Sequence, residues 1–423
     1  MITKKIGLIG LGNVGGAVVK SLKKYSSLIM RRASLKLEIK KVCDTNRAKK
    51  KEAEKLSLSF KNNPHNLIND PDIDIIVELV GGIEPAGTLI VESLKKGKNV
   101  VTANKALLAQ RGRDIFSLAK VKDRMVGFEA SVCAAIPLIK SISEGLISCE
   151  VKKIYGILNG TTNHILDKMT KEQLDFSSAL REAQNKGLAE RNPHFDIDGI
   201  DVLHKLCILS YLCFGAWPSF KKVYTEGISK INILDILYAK ELNYRIKLLA
   251  IAKKEKNSLD LRVHPTLIPV GHPLSEVSSA YNAVYLDTEP AGKLLFYGEG
   301  AGGLPTSSAV ISDIVSISLH EKGFLRREEN TRLKNTKDIR TRYYIRFMAH
   351  DRPGVLAKIS KILASLNISI ASVTQKERQR KKFVPIVMIT HEAKEDSIRR
   401  ALAKIDKLPF IKDPSQIIRI EDL

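Results

Sequence analysis

A short apolar strand, Lys5-Ile-Gly-Leu-Ile9, runs directly into Gly10-Leu-Gly12-Asn-Val-Gly15, and an apolar helical pattern begins at once behind it. Each glycine has a physical task at that spacing. The first permits a tight turn, the second lets a pyrophosphate approach the backbone, and the third lets the helix pack closely on the strand. The helix start then offers free N–H groups and the positive end of its dipole to phosphates. The motif therefore predicts a dinucleotide site made by Gly10, Leu11, Gly12, Asn13, Val14 and Gly15.

From Lys4 to about Phe128 strand-like runs alternate with helical periods, as in a doubly wound parallel sheet of the Rossmann type. Leu37–Asp44, Asp72–Val80, Asn99–Thr102 and Met125–Glu129 are the expected further strands, and their continuous apolar runs suit strands covered on both faces. Asp44 closes the second strand, where an acidic residue accepts hydrogen bonds from the adenosine ribose and disfavours a 2′-phosphate. Arg47, Lys49 and Lys50 follow closely and could hold such a phosphate. Both NAD and NADP stay open, with a slight lean to NAD.

The expected organisation is α/β. A dinucleotide-binding domain spans 1–130, with a returning helical segment at about 306–320. An α+β domain spans 131–305, and a charged linker spans 321–341. The tail, 342–423, reads βαββαβ, a small ferredoxin-like sheet with helices on one side.

Composition narrows the function classes. The net charge of +23 comes from 69 Lys+Arg against 46 Asp+Glu scattered along 423 residues. No aromatic interleaving or recognition motif accompanies it, so a solvated basic surface is expected rather than a nucleic-acid partner. No apolar run is long enough to span a bilayer. The cysteines at 43, 133, 149, 207 and 213 form no zinc-like or redox spacing, and no leader is recognisable. A cytoplasmic protein with reduced thiols is expected.

Three segments concentrate polar groups beyond what packing requires. Thr102-Ala-Asn-Lys105 closes the fourth strand, at the edge where open α/β sheets bind ligands. Asn104 could simply cap a helix there, leaving Lys105 exposed. Gly187 to Lys205 brings Glu190, Asp196, Asp198 and Asp201 before a strongly apolar helix. Asp201 and Lys205 stand at i and i+4, on one helical face, where they can pair. Glu129-Ala-Ser-Val-Cys-Ala-Ala-Ile136 leaves the fifth strand without periodicity; its glutamate could hold a monovalent cation or cap a helix.

Taken together, these blocks resemble the homoserine dehydrogenase family over essentially the whole chain. Gly10-x-Gly12-x-x-Gly15, Thr102-Ala-Asn-Lys105, Glu129-Ala-Ser-Val132, Asn159-Gly-Thr-Thr-Asn163, Gly187 through Lys205, and Gly298-Glu-Gly-Ala-Gly302-Gly-Leu-Pro-Thr306 fall in family order. The tail resembles an ACT domain, with Arg352-Pro-Gly-Val-Leu356 at the expected turn.

The resemblance implies reversible NAD(P)-dependent interconversion of L-aspartate 4-semialdehyde and L-homoserine, in the aspartate-derived route to threonine, methionine and isoleucine. It assigns Lys205 as the proton donor to the developing alkoxide, with Lys105 nearby to lower its pKa and orient the oxygen. Glu190, Asp201 and Lys105 would bind substrate, Asp201 also positioning Lys205. Asp44, Ala103, Lys105, Gly187 and Gly302 would join the glycine turn around the cofactor. Glu129 and the carbonyls of Val132, Ala134 and Ile136 would bind a structural sodium ion. Residues 131–305 would serve catalysis and dimerisation in a homodimer or homotetramer. Asp351, Pro353 and Gly354 would bind an amino-acid effector, threonine in much of the family. Removing everything after about Lys337 is then expected to leave activity but abolish threonine sensitivity. Two other classes remain: another amino- or keto-acid dehydrogenase, and a sensor that binds nucleotide and amino acid without turnover.

Overall fold

The structure is a computed structural model that describes residues 2–320, 328–329, 331–376 and 383–423. Its N-terminal sheet contains the strands Ile2–Ile9, Leu35–Cys43, Ser59–Lys61, Ile75–Glu78, Asn99–Thr102 and Val126–Gly127, all parallel. Numbered in sequence, their spatial order is 3-2-1-4-5-6. The order reverses between the first and fourth strands, which opens a crevice beyond their carboxyl ends. Gly10 to Gly15 sits at that crevice. The edge strand Ser59–Lys61 had no sequence signal, because three half-exposed residues carry no apolar alternation.

Beneath this sheet, Ile6, Leu8, Val18, Val42, Val77 and Val101 form a core completed by Val310 and Ile314. The last two lie on the helix Gly303–Leu319, which returns to pack on the first helix, Asn13–Ala33. Ser21 and Ser307 meet there through their hydroxyls at 3.1 Å. The chain therefore leaves the first domain through about 129–137 and re-enters it through 299–303. The two crossings are tied together, since the Ala135 N–H donates to the Glu299 carbonyl at 3.1 Å.

The second sheet is continuous across the rest of the molecule. Gly292–Glu299, Tyr281–Glu289, Glu150–Ile157, Tyr244–Glu255 and Ser258–Pro269 lie in that order. Next comes Gln416–Ile420, then Arg340–His350, Phe383–Thr390 and Ile370–Gln375. The last four strands, with the helices Val355–Ala364 and Glu395–Ile405, make the expected βαββαβ unit around a separate core. The turn between Ile370–Gln375 and Phe383–Thr390 falls largely outside the described residues.

The tail is not a module on a tether. Gln416–Ile420 pairs in parallel with Thr266 and Leu267 on one side and antiparallel with Arg342–Arg346 on the other. Tyr344, Val387, Ile389, Ile418 and Ile420 belong to the same apolar cluster as the central helix Ile200–Phe214. Fully buried Arg419 forks onto Glu395, while buried Arg262 reaches Asp260 and, near the C-terminus, Glu421, each at 2.9 Å. Arg346 grips Asp235 through two donors at 2.7 and 3.0 Å.

Residues 321–327 and 330 of the expected linker lie outside the described residues. The described remainder of that segment carries local structure. Arg332–Leu333 pairs with Ser258–Leu259, and Thr336–Asp338 forms a helical turn. Backbone pairing needs no apolar side chains, so a charged composition did not reveal it.

Candidate active site

The helix Ile200–Phe214 is buried along its whole length from Asp201 onward. A helix apolar on all faces belongs inside a core, so any charge on it demands a partner. Asp201 and Lys205 supply each other: Lys205 Nζ donates to Asp201 Oδ2 at 2.8 Å, with the side chains only 7% and 2% exposed. Lys205 Nζ also donates to the Leu158 carbonyl. Asp201 Oδ1 faces a second cation, Lys105 Nζ, at 2.6 Å. One buried carboxylate thus bridges two ammonium groups brought from different domains.

Lys105 opens the helix Lys105–Val121, whose N-cap is Asn104. The cap at Asn104 is present, and Lys105 is turned toward Asp201. Asn104 Oδ1 accepts the Leu107 N–H at 3.1 Å, and Lys105, only partly exposed, still reaches the site. Asn104 Nδ2 donates to Gly82 O at 2.6 Å. Buried Glu78 accepts from Val80 N–H and from the Thr102 hydroxyl, each at 2.7 Å, which ties the ends of two neighbouring strands together. Its signal in the sequence was a carboxylate inside an apolar run, and the reading passed over it.

Asn159 opens the Asn159-Gly-Thr-Thr-Asn163 block, and its spacing alone assigns it no role. It caps the helix Gly160–Glu172 through Oδ1, which accepts the Thr162 N–H at 2.8 Å. Its amide then donates to Asp196 Oδ1 at 2.7 Å and to Asp201 Oδ2 at 2.9 Å. The cap fixes the amide, and the amide fixes both acids.

The electrostatics correct one expectation. Burial disfavours the Lys205 ammonium, but Asp201, with Cys133 and Asp196, more than offsets it, so the pKa lies above the ordinary lysine value. Lys105 is not among the main influences on it, and the Asp201 carboxylate stands between the two cations. Burial likewise opposes ionisation of Asp201. Lys205, Lys105 and Asn159 overcome that penalty and hold its carboxyl well below the usual range. Around the Asp201 carboxylate, Oδ2 takes two donors, while Oδ1 faces Lys105 and is shielded from solvent.

Glu190 and Asp196 remain at the cavity beside these groups. Glu190 is exposed, and its carboxylate has no hydrogen-bond or ion-pair partner among the described residues. Asp196 is half-buried, and burial raises its pKa. The cavity, of about 720 Å³, is lined by Lys105, Asp201 and Lys205 along with Gly187, Glu190 and Gly302.

Pro305 lines this cavity and also an adjoining groove of about 550 Å³ that includes Gly12, Asn13, Lys20, Lys49 and Glu52. The glycine turn has the form its spacing implied. Gly10 has φ +100°, and a Cβ on Gly15 would lie 1.9 Å from the Gly10 carbonyl. A Cβ on Gly12 would meet nothing within 4 Å, so the backbone there is open to a ligand. Asp44 folds back on the turn, its carboxylate accepting Leu11 N–H at 2.7 Å and Asn46 N–H at 2.8 Å. Val14 and Ala103 pack against the core of this domain. Lys49 is paired with Glu52 at 2.9 Å.

The Glu129 side chain caps a helix. Its oxygens accept the N–H groups of Ile139 at 2.8 Å and Lys140 at 2.9 Å. Burial nevertheless raises its pKa. The Ile136 carbonyl accepts the Leu138 N–H at 2.7 Å, whereas those of Val132 and Ala134 accept no backbone hydrogen bond among the described residues. Those two carbonyls are the donors available to a hard cation. In the tail, Asp351 and Pro353 precede Gly354, whose φ of +85° opens the helix Val355–Ala364, and Gln375 donates to Asp351 Oδ1 at 3.3 Å. Among the described residues no helix is long and apolar enough to cross a membrane.

Three family descriptions match the chain: "Homoserine dehydrogenase, NAD binding domain" over residues 10–129, "Homoserine dehydrogenase" over 137–315, and "ACT domain" over 343–410. A homoserine dehydrogenase of Helicobacter pylori is 42% identical over 420 residues, covering 99% of each chain. The crystal structure of a homoserine dehydrogenase from Thiobacillus denitrificans superposes with a TM-score of 0.93 at 42% identity, covering 99% of this chain and 98% of that one. A hyperthermophilic archaeal homoserine dehydrogenase in complex with NADPH is similar at 27% identity with a TM-score of 0.66, covering 77% of this chain and 100% of that one.

Proposed function

The chain belongs to the homoserine dehydrogenase family, NAD(P)-dependent oxidoreductases that act on a CH–OH donor, and from that premise we propose that Lys205 is the proton donor and acceptor of the reaction. The observation that carries this reading is the single buried carboxylate of Asp201 holding two ammonium groups at a cavity that adjoins the glycine-turn groove. A nicotinamide cofactor, when bound, would supply or accept the hydride at the substrate carbon. When the aldehyde of L-aspartate 4-semialdehyde is reduced, the developing alkoxide takes a proton from Lys205, which Asp201 keeps charged and aimed. Lys105 adds a second positive charge beside the same oxygen. Glu190 and Asp196 receive the substrate ammonium.

In the reverse direction Lys205 must be neutral to take the hydroxyl proton of homoserine. Its pKa is raised in the folded protein, so the neutral fraction grows by about tenfold per pH unit up to that value. Oxidation therefore accelerates from neutral into alkaline pH. Asp201→Asn removes the strongest of the groups that raise it, so the Lys205 pKa falls. The rising limb of the pH–kcat profile for oxidation is expected to move to lower pH in that variant, even as its ceiling drops. A limb that stays in place would remove Asp201 as the group that sets the proton affinity.

Asp44 at the end of the second strand, together with Glu52 opposite Lys49 in the groove, supports NAD over NADP, since both carboxylates repel a 2′-phosphate. Steady-state kinetics on homoserine with the two cofactors side by side test activity and preference together. A higher kcat/KM with NAD is expected; a preference for NADP overturns the cofactor reading, and no turnover with either overturns the enzyme. A structural sodium ion would rest on the carbonyls of Val132 and Ala134, with Glu129 and Ile136 beside them. We read the protein as a cytoplasmic homodimer or homotetramer within threonine, methionine and isoleucine synthesis, its cysteines all free. The ACT domain, through the turn at Asp351, Pro353 and Gly354, would receive an amino-acid effector such as threonine.

A further inference from the structure

One fully enclosed cation takes no part in the chemistry above. Lys247, on the strand Tyr244–Glu255, is only 4% exposed, yet neither of its hydrogen-bond partners is a carboxylate. Its ammonium donates to Asn163 Oδ1 at 3.1 Å and to the Val277 carbonyl. A buried ammonium held only by neutral acceptors is costly to keep, and a methionine would fill the same space without that cost.

What the lysine adds is an orientation. By donating to Oδ1 it turns the Asn163 amide nitrogen toward three consecutive odd-numbered carbonyls: Val277 at 3.2 Å, Ser279 at 2.9 Å and Tyr281 at 3.5 Å. Ser279, in a left-handed conformation at φ +54°, also donates its N–H to Asp167 at 3.1 Å. At the start of the helix that carries Asn163 and Asp167, a Cβ on Gly160 would lie 2.5 Å from the Ala280 carbonyl, so the segment is clamped without slack. Ser279, Ala280, Tyr281 and Asn282 line the same cavity as Glu190 and Lys205. The groove at the glycine turn is bounded by other residues.

We propose that Lys247 is a positioning residue for the amino-acid substrate, acting through Asn163 to fix the 277–281 wall of the cavity. The proposal rests on the homoserine dehydrogenase reading of that cavity. Removing the ammonium leaves Asn163 Oδ1 buried without a donor, while a flipped amide would set that oxygen against the three wall carbonyls, so the side chain and the wall it holds must shift to satisfy it. Burial pushes the Lys247 pKa down to about 8, against Asp167 and Glu276 and with Lys171 and Arg245. The neutral amine retains two N–H groups and can still serve both acceptors, so the clamp does not depend on the charge.

The test is Lys247→Met in the full-length enzyme, with homoserine and the nicotinamide cofactor varied separately. KM for homoserine is expected to rise about tenfold while kcat stays within about threefold and the cofactor KM does not move. Lys247→Gln, which returns one N–H donor, is expected to recover part of the lost affinity, and it also serves if the methionine variant does not fold. A merely structural lysine would lower the melting temperature without separating the two KM values. Unchanged KM for homoserine in a folded variant, or equal changes in both KM values, would overturn the proposal while leaving the enzyme reading intact. Absence of homoserine oxidation by the unmodified enzyme would overturn that parent reading instead.

Discussion

Replacing Lys205 by alanine is expected to reduce kcat by at least about two orders of magnitude in both directions, with NADH or NADPH binding retained. The size follows from what is lost. A positioned acid typically contributes about 10²–10⁴-fold, and Lys205 is, among the described residues, the cation at the cavity that is both buried and held by Asp201 and a backbone carbonyl. Lys105 cannot stand in, because its ammonium is anchored on the other oxygen of the same carboxylate. The variant should remain folded: Asp201 loses one partner but keeps Lys105 and Asn159, so the buried charge is not abandoned. Cofactor titration by quenching of intrinsic fluorescence, beside single-turnover kinetics, separates loss of chemistry from loss of binding. Undiminished turnover would take Lys205 out of the mechanism.

The second large effect concerns the tail. Deleting residues 338–423 is expected to yield little soluble folded protein, rather than an active enzyme relieved of regulation. Arg262, 1% exposed, would lose Glu421 and keep Asp260 as its one carboxylate among the described residues. Breaking a buried ion pair costs about 3–5 kcal/mol. The central core would also lose Tyr344, Val387, Ile389, Ile418 and Ile420, each contributing about 1.5–3 kcal/mol when fully buried. Together these are as large as the net stability of about 5–15 kcal/mol that a protein of this kind has available. Yield in the soluble fraction and thermal melting by circular dichroism check it. A truncated protein that melts within a few degrees of the intact one would restore the separable module.

The parts of the molecule that could be read from the chain are those encoded locally. Gly10, Gly12 and Gly15 each carry their reason in their own spacing, and the strand Asn99–Thr102 has the bounds its apolar run indicated. Asp201 and Lys205 face each other because four residues make about one helical turn. The rest depends on segments distant in sequence. Nothing in Gln416–Ile420 reveals that it pairs with Thr266 and Leu267 as well as with its own domain. The sequence put Lys105 near Lys205 but not Asp201 between them, and that one interposed carboxylate reverses the sign of the pKa argument. Asn159 and Glu78 escaped notice for a related reason: an Asn before a helix and an acid in a strand look like ordinary caps and ends until their second partners are seen.

Three stretches of chain join the nucleotide-binding domain to the rest: about 129–137, 299–303 and the run that follows Leu319. The first two are laced to each other from Ala135 to Glu299, so the joint is a seam and not a single tether, which restrains twisting between the two parts. Lys105 stands on one side of that seam and Lys205 on the other, with the Asp201 carboxylate as the rivet between them.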